Sequence, residues 1–407
     1  METWLDKLAA NHGNFIRIWL SAPAWDVESV KSGQYDPDRA KTISTILAAA
    51  RKHGIRAKLT LEHFRSVVPN VPTSKSWSNK ALHHTSVGGP AKDMADFVNN
   101  PACRKQFIAK LEWLHTQFGD DPAIFGLELW NEMNAVGGGD YMDWTRAMLP
   151  ELHRIFPKNL CMQSLGSFDT DRVRKTYREH ALIPGNDLAQ VHRYLDLGAA
   201  LDVCHGPVDV LAAEAVREML AANPGRPVML AESGAVEPKH SGPFKLYAAD
   251  KSGMILHDVL FAPFFAGAAA CGQCWHWDHY IDKNNLWWHF SRFATATEGI
   301  DPPSQKFQPG MTDHQRLRLY TLHGTTQTLV WCRDTQNTWQ TELADQKPPE
   351  ELKEIEIDLS PHLGRTFTGA AQAYDPWTDK KTTLRAAGGK CILPAFSRSL
   401  VLRIPHA

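Results

Sequence analysis

Phe125-Gly126-Leu127-Glu128-Leu129-Trp130-Asn131-Glu132-Met133-Asn134 is the stretch from which the fold reads. A nearly apolar run stops abruptly at Asn-Glu, and glycines 137–139 follow. A strand this apolar belongs inside a parallel sheet covered on both faces, where no polar side is needed. A carboxylate at its C-terminal end then lies at the mouth of a barrel, where catalytic groups collect. The plainer alternative is a strand-end Glu that caps the next helix.

Upstream, residues 4–11 read as a short helix leading through Gly13 into a strand over 14–20. Asp36-Pro37-Asp38 starts a helix with an N-cap and an early proline, and His53-Gly54 ends it. Residues 56–61 are the next strand, closing on Glu62-His63. The irregular segment 65–90, holding Trp77, His83, His84 and Gly88-Gly89, is long enough to suggest a functional loop. A helix over 92–118 then delivers the opening strand at 123–130.

Downstream the alternation continues, with helices expected at 140–156, 169–180, 208–222, 244–270 and 287–299. Strands are expected at 160–165, 188–192, 227–232 and 272–277. This gives seven strands, each with a helix: an α/β fold, a (β/α)8 barrel lacking its first strand. Past Asp301-Pro302-Pro303 the texture changes to short alternating strands at 317–320, 328–332, 355–359, 366–374, 381–384 and 399–404, a small antiparallel β-sandwich. The expected division is a barrel domain over 1–303 and a sandwich domain over 314–407.

Composition narrows the function. The chain has 407 residues, 43% hydrophobic and 22% charged, as an ordinary globular protein does. A net charge of -1 offers no electrostatic case for nucleic acid or an anionic membrane. No apolar run reaches membrane-spanning length. The first residues, Met1-Glu2-Thr3-Trp4, show no basic stretch followed by an apolar one, so the chain as it stands is expected in the cytoplasm; a longer precursor could be exported. Seven scattered cysteines do not suggest a disulfide framework. Fourteen tryptophans fit both core packing and stacking on the apolar face of a sugar.

A second stretch, Val228-Met229-Leu230-Ala231-Glu232-Ser233-Gly234, repeats the opening pattern. Two glutamates at opposite sides of a barrel mouth suit glycosidic cleavage, one protonating the leaving oxygen while the other attacks the anomeric carbon or activates water. Trp130-Asn131-Glu132 and Ala231-Glu232 resemble the motifs of clan A glycoside hydrolases, closest to family 5, over residues 4–300. The resemblance implies a retaining mechanism, with Glu132 as general acid/base and Glu232 as nucleophile, and Asn131 binding the sugar 2-hydroxyl. It matches Arg17 to an arginine that supports the nucleophile, His63 to a sugar-binding histidine, and His192-Arg193-Tyr194 to a His-x-Tyr in which Tyr194 bonds the nucleophile. Trp275 and Trp277, sharing a face of the last strand, become candidates for stacking on the sugar.

Other features carry less weight. Cys271-Gly272-Gln273-Cys274 has half-zinc spacing without a second pair, and no metal or cofactor is expected. Glu128 is expected to pair inside the barrel, and Asp278 and Asp282 could bond sugar hydroxyls. Tyr374-Asp375-Pro376-Trp377 and 393–400 resemble small β-domains appended to such hydrolases, expected here as a buttress. The absent first strand would leave backbone unpaired on both flanks, to be covered by a homo-oligomeric partner or an intramolecular lid. The expected partner is thus a β-glycoside or polysaccharide. The rivals are a catalytically silent carbohydrate-binding protein on an incomplete barrel, and an unrelated barrel enzyme using a His/Asp metal site.

Overall fold

The computed structural model describes residues 2–63, 67, 81–136, 138–360 and 369–406. Trp77 and most of the long segment before it lie outside the described residues, as does the start of the strand expected at 366–374. The chain falls into two compact units. The first holds 1–167, 174–192 and 224–227; the second holds 168–173, 193–223 and 228–407.

In the first unit a helix, Glu2–Ala10, precedes strand β1 (Phe15–Trp19). Strands β2 (Arg56–Glu62), β3 (Ile124–Trp130) and β4 (Leu160–Met162) join it in one parallel sheet ordered β1-β2-β3-β4, with β1 at one edge. Register places Arg17 beside Lys58 and Thr60 beside Glu128. The helix Pro37–Lys52 starts as its sequence says, with the Asp36 side chain accepting from the backbone of Asp38 and Arg39. The helix expected over 92–118 is instead two, Met94–Asn99 and Pro101–Phe118. Asn100 between them is extended because a residue before proline is pushed out of the helical region, and its Oδ1 caps Ala102 at 2.9 Å. The short β5 (Ala189–His192) completes the unit's strands among the described residues.

The second unit begins with β6 (Leu195–Asp196), β7 (Val228–Glu232) and β8 (Ala235–Val236), the last pairing in parallel with β6. Residues 269–275 run parallel to β7 through Ala269 N to Val228 O, Gln273 N to Leu230 O and Ser233 N to Gln273 O. The strand expected at 272–277 is reduced to one bridge, Cys274 with Ser233, and the chain then turns. Gly272 explains the tightness, since a Cβ there would collide with the carbonyl oxygen of Val259. The helix expected at 244–270 also shrinks, to Met254–Phe265. Gly253 at φ 77 breaks it, and Asp250 accepts from the N–H groups of Gly253, Met254 and Ile255 to start it anew. Every residue of this helix is buried, as an all-round apolar helix must be.

Beyond it comes an antiparallel sheet of six strands, ordered Lys380–Ala386, Gly369–Asp375, Ser399–Pro405, Gln327–Asp334, Leu317–His323 and Gln308–His314. The last of these escapes a reading of the sequence because it is an exposed edge with Pro309 and Gly310 in it and no alternating pattern. Two short pairs, Glu351–Leu352 with Phe396–Ser397 and Glu356–Asp358 with Lys390–Ile392, face the sheet across Leu319, Val330, Ile357, Leu393 and Leu402. The sheet's other face meets the helices of the same unit. Arg333 donates to both carboxylate oxygens of Asp258 at 2.8 and 3.1 Å, Tyr320 donates to Asp209 at 2.9 Å, and Ser399 Oγ shares a 2.8 Å bond with His257. The sheet is thus tied to these helices by one buried ion pair and two further hydrogen bonds.

Two buried histidines make the fold acid-sensitive. Burial lowers the ring of His180 to about 4 and that of His289 to about 3. Each is neutral when folded, so the unfolded chain binds protons first. The contribution of these two rings to stability is therefore full above about pH 6.5 and is lost as pH falls toward those values. The His180 shift alone corresponds to about 3 kcal/mol. Melting temperature is expected to drop between pH 6.5 and 4, and to drop less in His180→Leu; a flat profile in the wild type would contradict this.

Candidate active site

Of the candidate residues of the first unit, His63, Asn131, Glu132 and His192 lie at the C-terminal ends of its strands, and Arg17 lies in the middle of β1. Glu132 follows β3 in a left-handed conformation, φ 51, which a non-glycine residue adopts only where its surroundings hold it. Its N–H donates to Ser164 Oγ at 3.1 Å, and its Oε1 shares a 2.7 Å hydrogen bond with Nδ1 of buried His192, at the end of β5. The Glu132 side chain is 12% exposed.

Asn131 is buried, and its N–H donates to the Glu62 carbonyl at 2.7 Å. Arg17, from β1, donates to Asn131 Oδ1 at 2.6 Å and to Glu128 Oε2 at 2.9 and 2.7 Å. Glu128 is wholly buried. Burial alone would raise its carboxyl, but Arg17 and Lys58 outweigh this and hold it below the usual carboxylate range. His63, after β2, bonds Ser21 Oγ and stacks on Trp19 with centroids 5.1 Å apart. The Ser21 and Trp19 contacts have no signal in the sequence beyond lying next to β1. Ser164, two residues past β4, is equally invisible there, since a small polar residue after a strand is commonplace.

In the second unit Glu232 ends β7 and is 5% exposed. Tyr194 donates to its Oε2 at 2.7 Å, and Arg193 N–H donates to its carbonyl at 3.1 Å. The turn after it requires glycine: Gly234 has φ 119, and a Cβ there would sit 2.6 Å from the Tyr247 hydroxyl. His240 packs edge-on against Tyr194 at 5.0 Å, a contact for which the sequence offers no signal. Trp275 and Trp277 are both partly exposed, but they do not share a strand face. Trp277 N–H donates to the Trp275 carbonyl at 2.8 Å in a turn, and the Trp277 ring leans on Trp287. Backbone that turns after Cys274 destroys the alternation on which that expectation rests.

Two clusters in the first unit have metal-ligand chemistry. Glu28, Glu62 and His83 offer ligand atoms within 4.8 Å of one another, but Lys110 Nζ lies 2.5 Å from Glu62 and 3.3 Å from Glu28 and supplies the cation itself. His153, Cys161 and Asp187 come equally close. There His153 Nε2 lies 2.9 Å from the Gly185 carbonyl and Asp187 accepts from Cys161 N–H at 2.7 Å, so both groups are already engaged. All seven cysteines are free thiols. No helix among the described residues is long and apolar enough to cross a membrane.

No family model and no curated protein sequence matches the chain. Solved structures do. A GH5_18 protein from Bifidobacterium longum subsp. infantis is 16% identical, with 72% of each chain covered and a TM-score of 0.54. The endo-beta-1,4-mannanase from Thermotoga petrophila is 11% identical over 98% of this chain and 92% of its own, with a TM-score of 0.50. A GH5_18 protein from Streptomyces cattleya, solved with GlcNAc, is 18% identical over 67% of this chain, with a TM-score of 0.50. This chain spans 64% of that relative's length, and 55% of an exo-beta-1,4-mannosidase from Opitutaceae bacterium strain TAV5. At these identities the likeness is one of fold, shared with these GH5_18 proteins and this mannanase.

Proposed function

We propose that the chain is a retaining glycoside hydrolase acting on β-linked sugars, with its catalytic barrel over 1–303 and the sandwich over 314–407. Glu232 attacks the anomeric carbon while Glu132 gives its proton to the departing glycosidic oxygen. The resulting glycosyl ester on Glu232 is then opened by water, whose proton returns to Glu132. Two displacements restore the original anomeric configuration. The mechanism requires the two carboxyl groups about 5–5.5 Å apart.

The observation that carries this reading is the partnering of the two carboxylates at strand ends: Glu232 with the Tyr194 hydroxyl, Glu132 with His192. A hydroxyl donating to Glu232 favours its ionised form and fixes the attacking oxygen. The ring nitrogen at Glu132 orients the group that must alternate between acid and base. Asn131, His63, Trp275 and Trp277 are proposed to hold the sugar, and Arg17 to support the site through Asn131.

The test is a panel of aryl β-glycosides and polysaccharides, β-1,4-mannosides first because similar folds carry that name. Proton NMR of the nascent product reads the anomer. Hydrolysis with β product appearing first supports the assignment, and α product first would replace it with inversion. Tyr194→Phe is expected to lower kcat about 10- to 100-fold, the size of a lost hydrogen bond to a charged group; unchanged kcat would remove Tyr194 from the mechanism.

The sheet order leaves β1 at an edge, and this observation favours a second reading, a sugar-binding protein without turnover on an incomplete barrel. Sugar binding by calorimetry with no product on the whole panel would establish it. The same edge underlies a proposal that a second copy of the chain covers it. Light scattering after gel filtration that reads a monomer would exclude that partner.

A further inference from the structure

The interior of the first unit's sheet contains more charge than a barrel needs for packing. Arg17, Lys58 and Glu128 come from three successive strands and meet below the proposed site. Thr60 Oγ1 and Arg17 both donate to Glu128 Oε2, at 2.7 Å from the hydroxyl and 2.9 and 2.7 Å from the guanidinium. Gln190 Nε2 donates to Glu128 Oε1 at 3.2 Å, and the other end of the Gln190 amide accepts from Lys58 Nζ. Lys58 Nζ lies 3.5 Å from Glu128 Oε2. Both oxygens of Glu128 are thus taken by donors from β1, β2 and β5, in a site with no exposure.

A guanidinium only donates. Held by Glu128, Arg17 directs an Nη2 hydrogen at Asn131 at 2.6 Å, so the amide must turn its oxygen toward Arg17. The amide nitrogen is left at the opposite end, buried and without a partner among the described residues. A buried N–H group without a partner is costly, unless a ligand completes it.

We infer that Glu128 is a positioning residue: through Arg17 it sets which end of the Asn131 amide faces the sugar. The oriented amide then offers hydrogens to an accepting sugar hydroxyl, placed by the proposed function at carbon 2. The inference rests on that function. It goes beyond it in assigning a role to a carboxylate that never touches the substrate. In Glu128→Gln the side chain keeps its shape but brings an NH2 group and no charge. It cannot accept on both ends from Thr60, Arg17 and Gln190, so the guanidinium keeps its bond to Thr60 Oγ1 but loses the anion that aims it, and the Asn131 amide can flip.

The test compares the wild type, Glu128→Gln, Asn131→Ala and the double variant on an aryl β-glycoside and on its 2-deoxy counterpart. A misplacement of about 1 Å costs on the order of 10²-fold. Glu128→Gln is therefore expected to lose about 10²-fold in kcat on the parent glycoside with little change in KM, and far less on the 2-deoxy substrate. The double variant should match Asn131→Ala alone. Equal losses on both substrates, or losses that multiply in the double variant, would overturn the inference while leaving the hydrolase assignment in place. A wild type that cleaves no glycoside overturns both. Should Glu128→Gln fail to fold, Glu128→Asp keeps the charge but draws it back by one methylene, and the same comparison applies. A crystal structure of either variant with Arg17 still on Asn131 Oδ1 would also refute it.

Discussion

Glu232→Gln is expected to abolish turnover, with kcat/KM falling by at least about 10⁴-fold on every substrate the wild type cleaves. Glutamine preserves the strand-end geometry and can still accept from Tyr194, but a neutral amide cannot form the glycosyl ester. Glu132→Gln should behave differently. Loss of an acid/base group costs about 10² to 10⁴-fold, and the cost depends on the leaving group. An aryl glycoside with an acidic phenol needs little protonation, so its first step survives and the glycosyl-enzyme accumulates. Azide, which needs no general base, should then restore turnover in Glu132→Gln and release a β-glycosyl azide, while leaving Glu232→Gln inactive. Wild-type turnover in either variant would end the assignment. So would azide rescue with the two roles exchanged, which would swap acid/base and nucleophile.

The second large effect is on stability. Arg333 and Asp258 form a buried pair in the second unit, with both side chains nearly inaccessible. Burial pushes the Asp258 carboxyl up, and the neighbouring Arg333 guanidinium works against that. Arg333→Met leaves the carboxylate buried without its cation and is expected to cost about 3–5 kcal/mol. The double variant Arg333→Met with Asp258→Leu removes both charges together and should recover most of the loss, because two apolar side chains carry no desolvation penalty. Urea unfolding of the three proteins measures this. If the single variant unfolds at the wild-type midpoint, the pair contributes nothing. If the double variant is no better than the single, the loss comes from packing against the helix and not from stranded charge.

The same contacts link the sandwich to the surroundings of β7. Asp258 lies on the buried helix Met254–Phe265, and residues 269–275 after that helix run beside β7, the strand that ends in Glu232. Arg333 and Ser399 grip this helix from the sheet through Asp258 and His257. Loosening the sheet would therefore disturb the residues that flank Glu232 through packing alone.

Much of the fold is legible in the residues themselves. β3 and β7 are short, nearly apolar and end in Glu, and a parallel strand covered on both faces leaves such a run because neither side tolerates polar groups. The helix at Pro37–Lys52 announces itself by Asp36 and Pro37, since capping chemistry is local. Local signals fail where two of them compete. Asn100 is both a helix interruption before Pro101 and a cap after it, and the apolar run across 244–270 hides the break at Gly253.

The strand-and-helix alternation, the two strand-end glutamates and their near neighbours Asn131, His192 and Tyr194 are all written in single segments of the chain. They depend on local periodicity, which a few residues are enough to display. Which partners those groups take is settled by tertiary packing. Arg17 lies 43 residues from Thr60 and 111 from Glu128, and strand register alone brings the three together. Alternation could place Arg17 on one side of β1, but its charge would have suited several carboxylates. The turn that separates Trp275 from Trp277 likewise has no signal in the local alternation of residues 272–277. Contacts between distant segments depend on register and close packing, and neither is written in the residues of one segment.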